Sequence, residues 1–132
     1  MVDARPNLEL TSVTICTPAP RDAAAFYSRL LGAQITASES ARPGKPQEDG
    51  WAQLKTERLT LNFEYEQFWS TPVWPAQVGK QTATQHLDIR VRDLPAAIDW
   101  ALKCGAREAT EQPQGGVRVM VDPQGHPFCL FA

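Results

Sequence analysis

RDAAAFYSRLLGAQ, residues 21–34, reads as a short amphipathic helix stopping at a glycine, and LPAAIDWALKCGAR, residues 94–107, repeats it. Five positions match in register. Ala23, Ala24, Tyr27, Gly32 and Ala33 stand against Ala96, Ala97, Trp100, Gly105 and Ala106, all at one offset. Apolar side chains recur at helical spacing through Ala23, Phe26, Tyr27, Leu30 and Leu31, and again through Leu94, Ala97, Ile98, Ala101 and Leu102. Gly32 and Gly105 can each close a helix in the left-handed conformation at little steric cost. A shared stop at one offset is harder to reach by chance than shared apolar residues, so the chain reads as a duplication.

Strand patterns flank both helices. Residues 10–16 alternate Val13 and Ile15 against Ser12, Thr14 and Cys16; residues 85–91 alternate Leu87, Ile89 and Val91 against His86, Asp88 and Arg90. After the first helix come strands over 33–38, 51–56 and 59–65, with a solvated polar excursion over 39–50. After the second come 107–109, 117–121 and 127–131, the last two joined by Asp122-Pro123-Gln124-Gly125. In that turn Asp starts the reversal, Pro presets the next φ, and Gly relieves the exit. Each half is β-α-β-β-β, and the two must share a core, since one small sheet with one helix buries too little alone.

The 132 residues fit a single domain, with unit one over about 8–65, an aromatic linker over 66–84 and unit two over 85–132. A 42% hydrophobic and 21% charged composition excludes a disordered or fibrous chain. Lys and Arg total 13 against 15 Asp and Glu, and neither half is strongly basic, which removes the electrostatic drive for nucleic acid or an anionic membrane. No apolar run approaches a membrane span and no signal-peptide pattern opens the sequence. Cys16, Cys104 and Cys129 cannot all pair and show no CxxC spacing, which points to a reduced, cytoplasmic protein.

The polar strand faces carry the candidate site. Ser12, Thr14 and Cys16, then Thr60, Asn62 and Glu64, then His86, Asp88 and Arg90 lie opposite the apolar faces that pack under the helices. Such a face is either a solvated surface or, if the sheet curls, a small-molecule pocket. His86 could orient a ligand, act as a general base, or hydrogen-bond within the sheet. Arg90 and Arg118 could meet an anionic ligand or form surface ion pairs. Trp51 and Trp74 could stack on a flat ligand or fill the core, and Trp100 reads as packing or a dimer contact. The linker's Phe68, Trp69 and Trp74 fill core gaps, form a lid, or meet a second chain. Cys129 reads as a small buried residue and His126 as exposed. No nucleophile elbow, phosphate loop or dinucleotide fingerprint is present.

The doubled βαβββ pattern, the FY…LLGA helix end, the HLDIRV strand and the closing DPQGHPFCLF hairpin together resemble the vicinal oxygen chelate superfamily. The likeness is strongest to its glyoxalase-like branch, which also holds bleomycin-resistance proteins and extradiol dioxygenases, and it runs from about residue 10 to 131. The resemblance implies an α+β fold: two βαβββ units forming a curved, half-barrel mixed sheet with helices on the outer face. It also implies a homodimer and metal ligands at one inward position on each of four strands. Those positions fall on Ser12, Asn62, His86 and Cys129, where the family's metal enzymes carry His or Glu; only His86 matches. A hydroxyl, an amide and a lone thiol are an incomplete donor set, so no metal cofactor is expected, a divalent ion remaining the alternative. The expected function is binding of a small, partly apolar or aromatic molecule by Ser12, Asn62, His86, Cys129, Arg90, Trp51 and Trp74. The alternative is an enzyme of the lyase, isomerase or dioxygenase class using His86 as metal ligand or general base.

Overall fold

A computed structural model describes residues 4–132. The first half folds as β1 (Ser12–Thr17), α1 (Pro20–Leu31), β2 (Gln34–Glu39), β3 (Trp51–Lys55) and β4 (Thr60–Tyr65). The second half gives β5 (Asp88–Arg90), α2 (Leu94–Cys104), β6 (Arg107–Glu108), β7 (Val117–Val121) and β8 (Pro127–Phe131). The sheets have the same topology, β1-β4-β3-β2 and β5-β8-β7-β6, with β1 parallel to β4 and β5 parallel to β8. The duplication seen in the helices therefore extends to every strand, in the α+β half-barrel arrangement. No helix among the described residues is long and apolar enough to cross a membrane.

Both helix stops form as the glycines dictate. Gly32 has φ 65° and its N–H donates to Ser28 O, while Gly105 has φ 112° and its N–H donates to Ala101 O and Leu102 O. The start of α2 has a cap that periodicity does not reveal: the Asp93 carboxylate accepts from Ala96 N at 3.0 Å. Trp100 packs within the chain, its indole N–H donating to Leu30 O at 3.0 Å and so tying α2 to the last turn of α1.

One core draws on both halves. Ala23, Tyr27, Leu54 and Phe63 from the first meet Ala101, Met120, Phe128 and Leu130 from the second, all buried. Tyr27 lies at the join, stacked on Phe63 at 5.6 Å between centroids and edge-on to Phe128 at 6.0 Å. Its hydroxyl donates to the buried Asp122 Oδ2 at 2.6 Å, and burial, followed by the Asp122 charge, pushes the phenol well above its usual range. The other oxygen, Asp122 Oδ1, accepts from Gln124 N and His126 N at 3.0 and 2.9 Å. The turn-starting aspartate thus also fastens the second unit to the first helix.

Two expectations need correction. The strand expected over 85–91 is ordered in the sheet only as Asp88–Arg90. Leu87 O still accepts from Cys129 N at 2.8 Å, but the register that sets Asp88 opposite Cys129 brings Pro127 opposite residue 86. Proline has no N–H to continue the ladder, so pairing stops there. The excursion over 39–50 is not merely solvated. Arg21 Nη1 donates to Glu39 O and Asp49 O and Arg21 Nη2 to Gln47 O, while the fully buried Asp49 carboxylate takes Arg42 Nη2 and Nε at 2.7 and 3.0 Å.

These bonds from Arg42 hold the Asp49 carboxyl well below the usual carboxylate range. Because the folded value lies below the unfolded value of about 4, this contribution to stability is complete above about pH 4 and fades as the pH falls. Arg42→Ala is therefore expected to lower the thermal midpoint at pH 7 and to flatten its dependence on pH below about 4, measurable by calorimetry across pH.

Candidate functional site

β1 and β5 are each the outermost strand of their sheet, paired on one side only. An open cleft of about 970 Å³ runs along both edges, closed on its third side by the linker that follows β4. Four consecutive residues of β1, Val13 to Cys16, line it, as do His86, Leu87 and Asp88. Consecutive residues belong to opposite strand faces, so the hollow follows the strand edges instead of covering the polar face expected from alternation. That is why Asn62, one strand further in, is absent from its wall.

The lining of the cleft is mixed: Val13, Ile15, Leu59, Phe68, Trp69 and Pro72 are apolar, and Thr14, Cys16, Glu66, His86, Asp88 and His126 are polar. The linker is held in place by its first turn, where Glu66 N donates to Thr17 O at 3.0 Å, Trp69 N to Glu66 O at 3.2 Å and Phe68 N to Glu66 Oε1 at 3.0 Å. Farther along, the Thr71 side chain occupies the place a Cβ would take on Gly125, whose φ is 93°. The linker is thereby packed on the closing turn of the second unit.

His86 Nε2 lies 3.2 Å from Asp88 Oδ1, and both side chains are open to the cleft. Asp88 sits across the ladder from the half-buried Cys129. Burial, then the Asp88 charge and its hydrogen bond, push the Cys129 thiol up, which disfavours a nucleophilic thiolate. Cys16 is raised as well, by burial and then by Glu64 and Glu66. His126 is half-buried in the cleft wall, not exposed as the sequence suggested. Its Nδ1 is 3.0 Å from Pro127 O, which can only accept; Nδ1 therefore carries the hydrogen, and Nε2 of the neutral ring is an acceptor.

Of the residues expected to bind a ligand, His86 lines the cleft. Ser12 Oγ is 3.4 Å from Thr11 Oγ1 at the start of β1, and Asn62 Oδ1 accepts from Gln53 Nε2 at 3.0 Å within the first sheet. Arg90 lies over Phe131, its guanidinium carbon 5.7 Å from the ring centroid, and Arg118 pairs with Glu108 at 2.7 Å. Trp51 begins β3 opposite Glu39 and Glu64, half-buried, while Trp74 lines a smaller hollow of about 430 Å³ with Glu111, Gln112 and Pro113. Sequence reasoning does not single out Glu66, and it reads His126 as exposed rather than as part of a site. His126 had one available signal: an aspartate opening a turn commonly bonds backbone N–H groups ahead of it, which curls the chain back.

Two of the four positions where the resemblance places metal ligands carry neutral side chains with protein partners, Ser12 beside Thr11 and Asn62 bonded to Gln53. Ser12 and Asn62 belong to the first sheet while Cys129 belongs to the second. A different trio stands close together: the ligand atoms of His86, Asp88 and Cys129 all lie within 4.8 Å of one another. Imidazole, carboxylate and thiolate together suit a borderline-soft ion such as zinc, and these residues would hold it.

The glyoxalase-like domain family matches residues 12–131. No curated protein matches the chain. Among solved structures, a glyoxalase family protein from Enterococcus faecalis aligns with a TM-score of 0.66 at 22% identity, covering 94% of this chain and 97% of that one. A FosX fosfomycin-resistance protein from Listeria monocytogenes, solved with Mn(II) and 1S,2S-dihydroxypropylphosphonic acid, aligns at 0.70 with 13% identity, covering 94% and 91%. FosX from Mesorhizobium loti aligns at 0.64 with 10% identity, covering 93% and 90%. Two βαβββ units of identical sheet order, matched over nearly the whole length, place this chain in the glyoxalase-like domain family of the vicinal oxygen chelate superfamily.

Proposed function

We propose that the protein binds a small, partly apolar or aromatic molecule in the cleft between β1 and β5, without requiring a metal. The observation that carries this reading is that Phe68, Trp69 and Pro72 line the same hollow as His86, Asp88 and His126. Its volume of about 970 Å³ is at the upper end of the range that accommodates drug-sized ligands. Aromatic stacking on the linker would supply contact area, and the two imidazoles and Asp88 would orient a ligand's polar end. A thermal-shift panel of small aromatic compounds in the presence of EDTA tests the reading. At least one compound should raise the midpoint by several degrees, and Trp69→Ala should weaken its binding roughly tenfold. A panel without any reproducible shift, or binding indifferent to Trp69→Ala, contradicts it.

A second reading is favoured by the His86, Asp88 and Cys129 trio: an enzyme of the lyase, isomerase or dioxygenase class in which these residues hold a divalent ion, or in which His86 is a general base. Stoichiometric zinc binding abolished by His86→Ala would support this reading over the first. We further propose one glyoxalase-like domain spanning the chain and a homodimer, for which Phe68, 82% exposed, and Val78 offer apolar surface. Light scattering at micromolar concentration should give twice the chain mass; a monomer would refute the dimer. The three free cysteines suit a reducing, cytoplasmic setting.

A further inference from the structure

We infer that the cleft selects an organic cation, an amine or quaternary ammonium group carried on a flat apolar body, over neutral or anionic ligands of the same shape. The inference rests on the cleft being the binding site and adds the charge of what it takes. Its basis is the distribution of charge around one cavity. Two carboxylates, Glu66 and Asp88, line it, and among the described residues no lysine or arginine does. The cation nearest along β5, Arg90, is turned onto Phe131, and Arg118 is committed to Glu108. No lysine or arginine of the lining pairs with either carboxylate. Glu66 spends Oε1 on Phe68 N, and Asp88 is shared with an imidazole and a thiol.

Two further observations agree in sign. The Cys16 thiol, in the cleft lining, is raised by burial and then by Glu64 and Glu66, so negative potential is felt there. The lining also includes Phe68 and Trp69, and aromatic ring faces attract cations and repel anions. An anionic phosphonate of the kind bound in the Listeria FosX structure would meet two carboxylates and no lining lysine or arginine.

Three probes sharing one ring separate charge from shape: benzyltrimethylammonium, benzyl alcohol and benzoate, titrated calorimetrically with EDTA present. The cation should bind roughly tenfold more tightly than the alcohol, and benzoate more weakly than either. Asp88→Asn and Glu66→Gln should each reduce the cation's advantage over benzyl alcohol about threefold, and together remove it. In the unaltered protein, raising salt from about 50 to about 500 mM should shrink the same advantage, a readout independent of the folding of any variant. Equal binding of all three probes, or tighter binding of benzoate, overturns the inference while leaving the cleft as a binding site. A cation advantage that vanishes in EDTA and returns with zinc also overturns it, since a metal would then be providing the discrimination. Failure of all three probes to bind overturns both the inference and the cleft reading, provided the aromatic panel is silent as well; if that panel binds, only the inference falls.

Discussion

Replacing Asp122 with alanine is expected to lower the unfolding free energy by about 3–4 kcal/mol, because three donors lose their acceptor at once in a buried place. The donors are the Tyr27 hydroxyl and the Gln124 and His126 amides, at 2.6, 3.0 and 2.9 Å. Tyr27→Phe should cost less, about 1–2 kcal/mol, since Asp122 keeps its two backbone partners. The tyrosine variant carries a second signature. The phenol is raised in the folded state, so the unfolded chain ionises first; stability is complete below about pH 10 and declines as the pH rises through the interval up to the folded value. Tyr27→Phe removes that alkaline slope. Urea unfolding of both variants at pH 7, and of Tyr27→Phe up to pH 11, checks the ordering; equal costs for the two would mean that the turn amides contribute nothing.

Phe128→Ala should be at least as damaging, about 3–5 kcal/mol, the usual range for deleting a large aromatic side chain from a core that cannot collapse. Phe128 is fully buried and touches both aromatic residues of α1, 6.0 Å from Phe26 and 6.0 Å from Tyr27 between centroids. It is the buried aromatic ring that the second unit adds to the shared core, beside Met120 and Leu130. Its loss is expected to move the urea midpoint with an unchanged slope, since both halves unfold together. A slope that falls, or two separated transitions, would show that the units unfold independently.

The fold was legible in the chain because duplication repeats local rules twice. Two helix stops at glycines, the alternating strand before α1 and one Asp-Pro-Gln-Gly turn depend on short-range chemistry, and each forms as its residues dictate. What the sequence misplaced depends on neighbours far away in the chain. The strand before α2 is cut short because Pro127, some forty positions later, lacks a hydrogen to donate. The excursion before β3 is pinned by Arg21 from α1, a partner 28 residues from Asp49. The candidate site shows the same division. His86 was found through its strand position, and it lines the cleft. Alternation assigns side chains to faces but cannot say which strand ends a sheet, so a hollow running along two edges was read as one lying over the face. Glu66 and His126 enter through a loop turn and an aspartate-capped turn, neither of which follows a strand period.

The most direct test of a binding cleft between the two sheet edges is a crystallographic screen of small aromatic fragments, read as electron density. The expected result is fragments gathered between Trp69 and His86, with rings against the linker and polar ends toward Asp88. Fragments scattered over other surfaces, with that hollow filled only by ordered solvent, would contradict it.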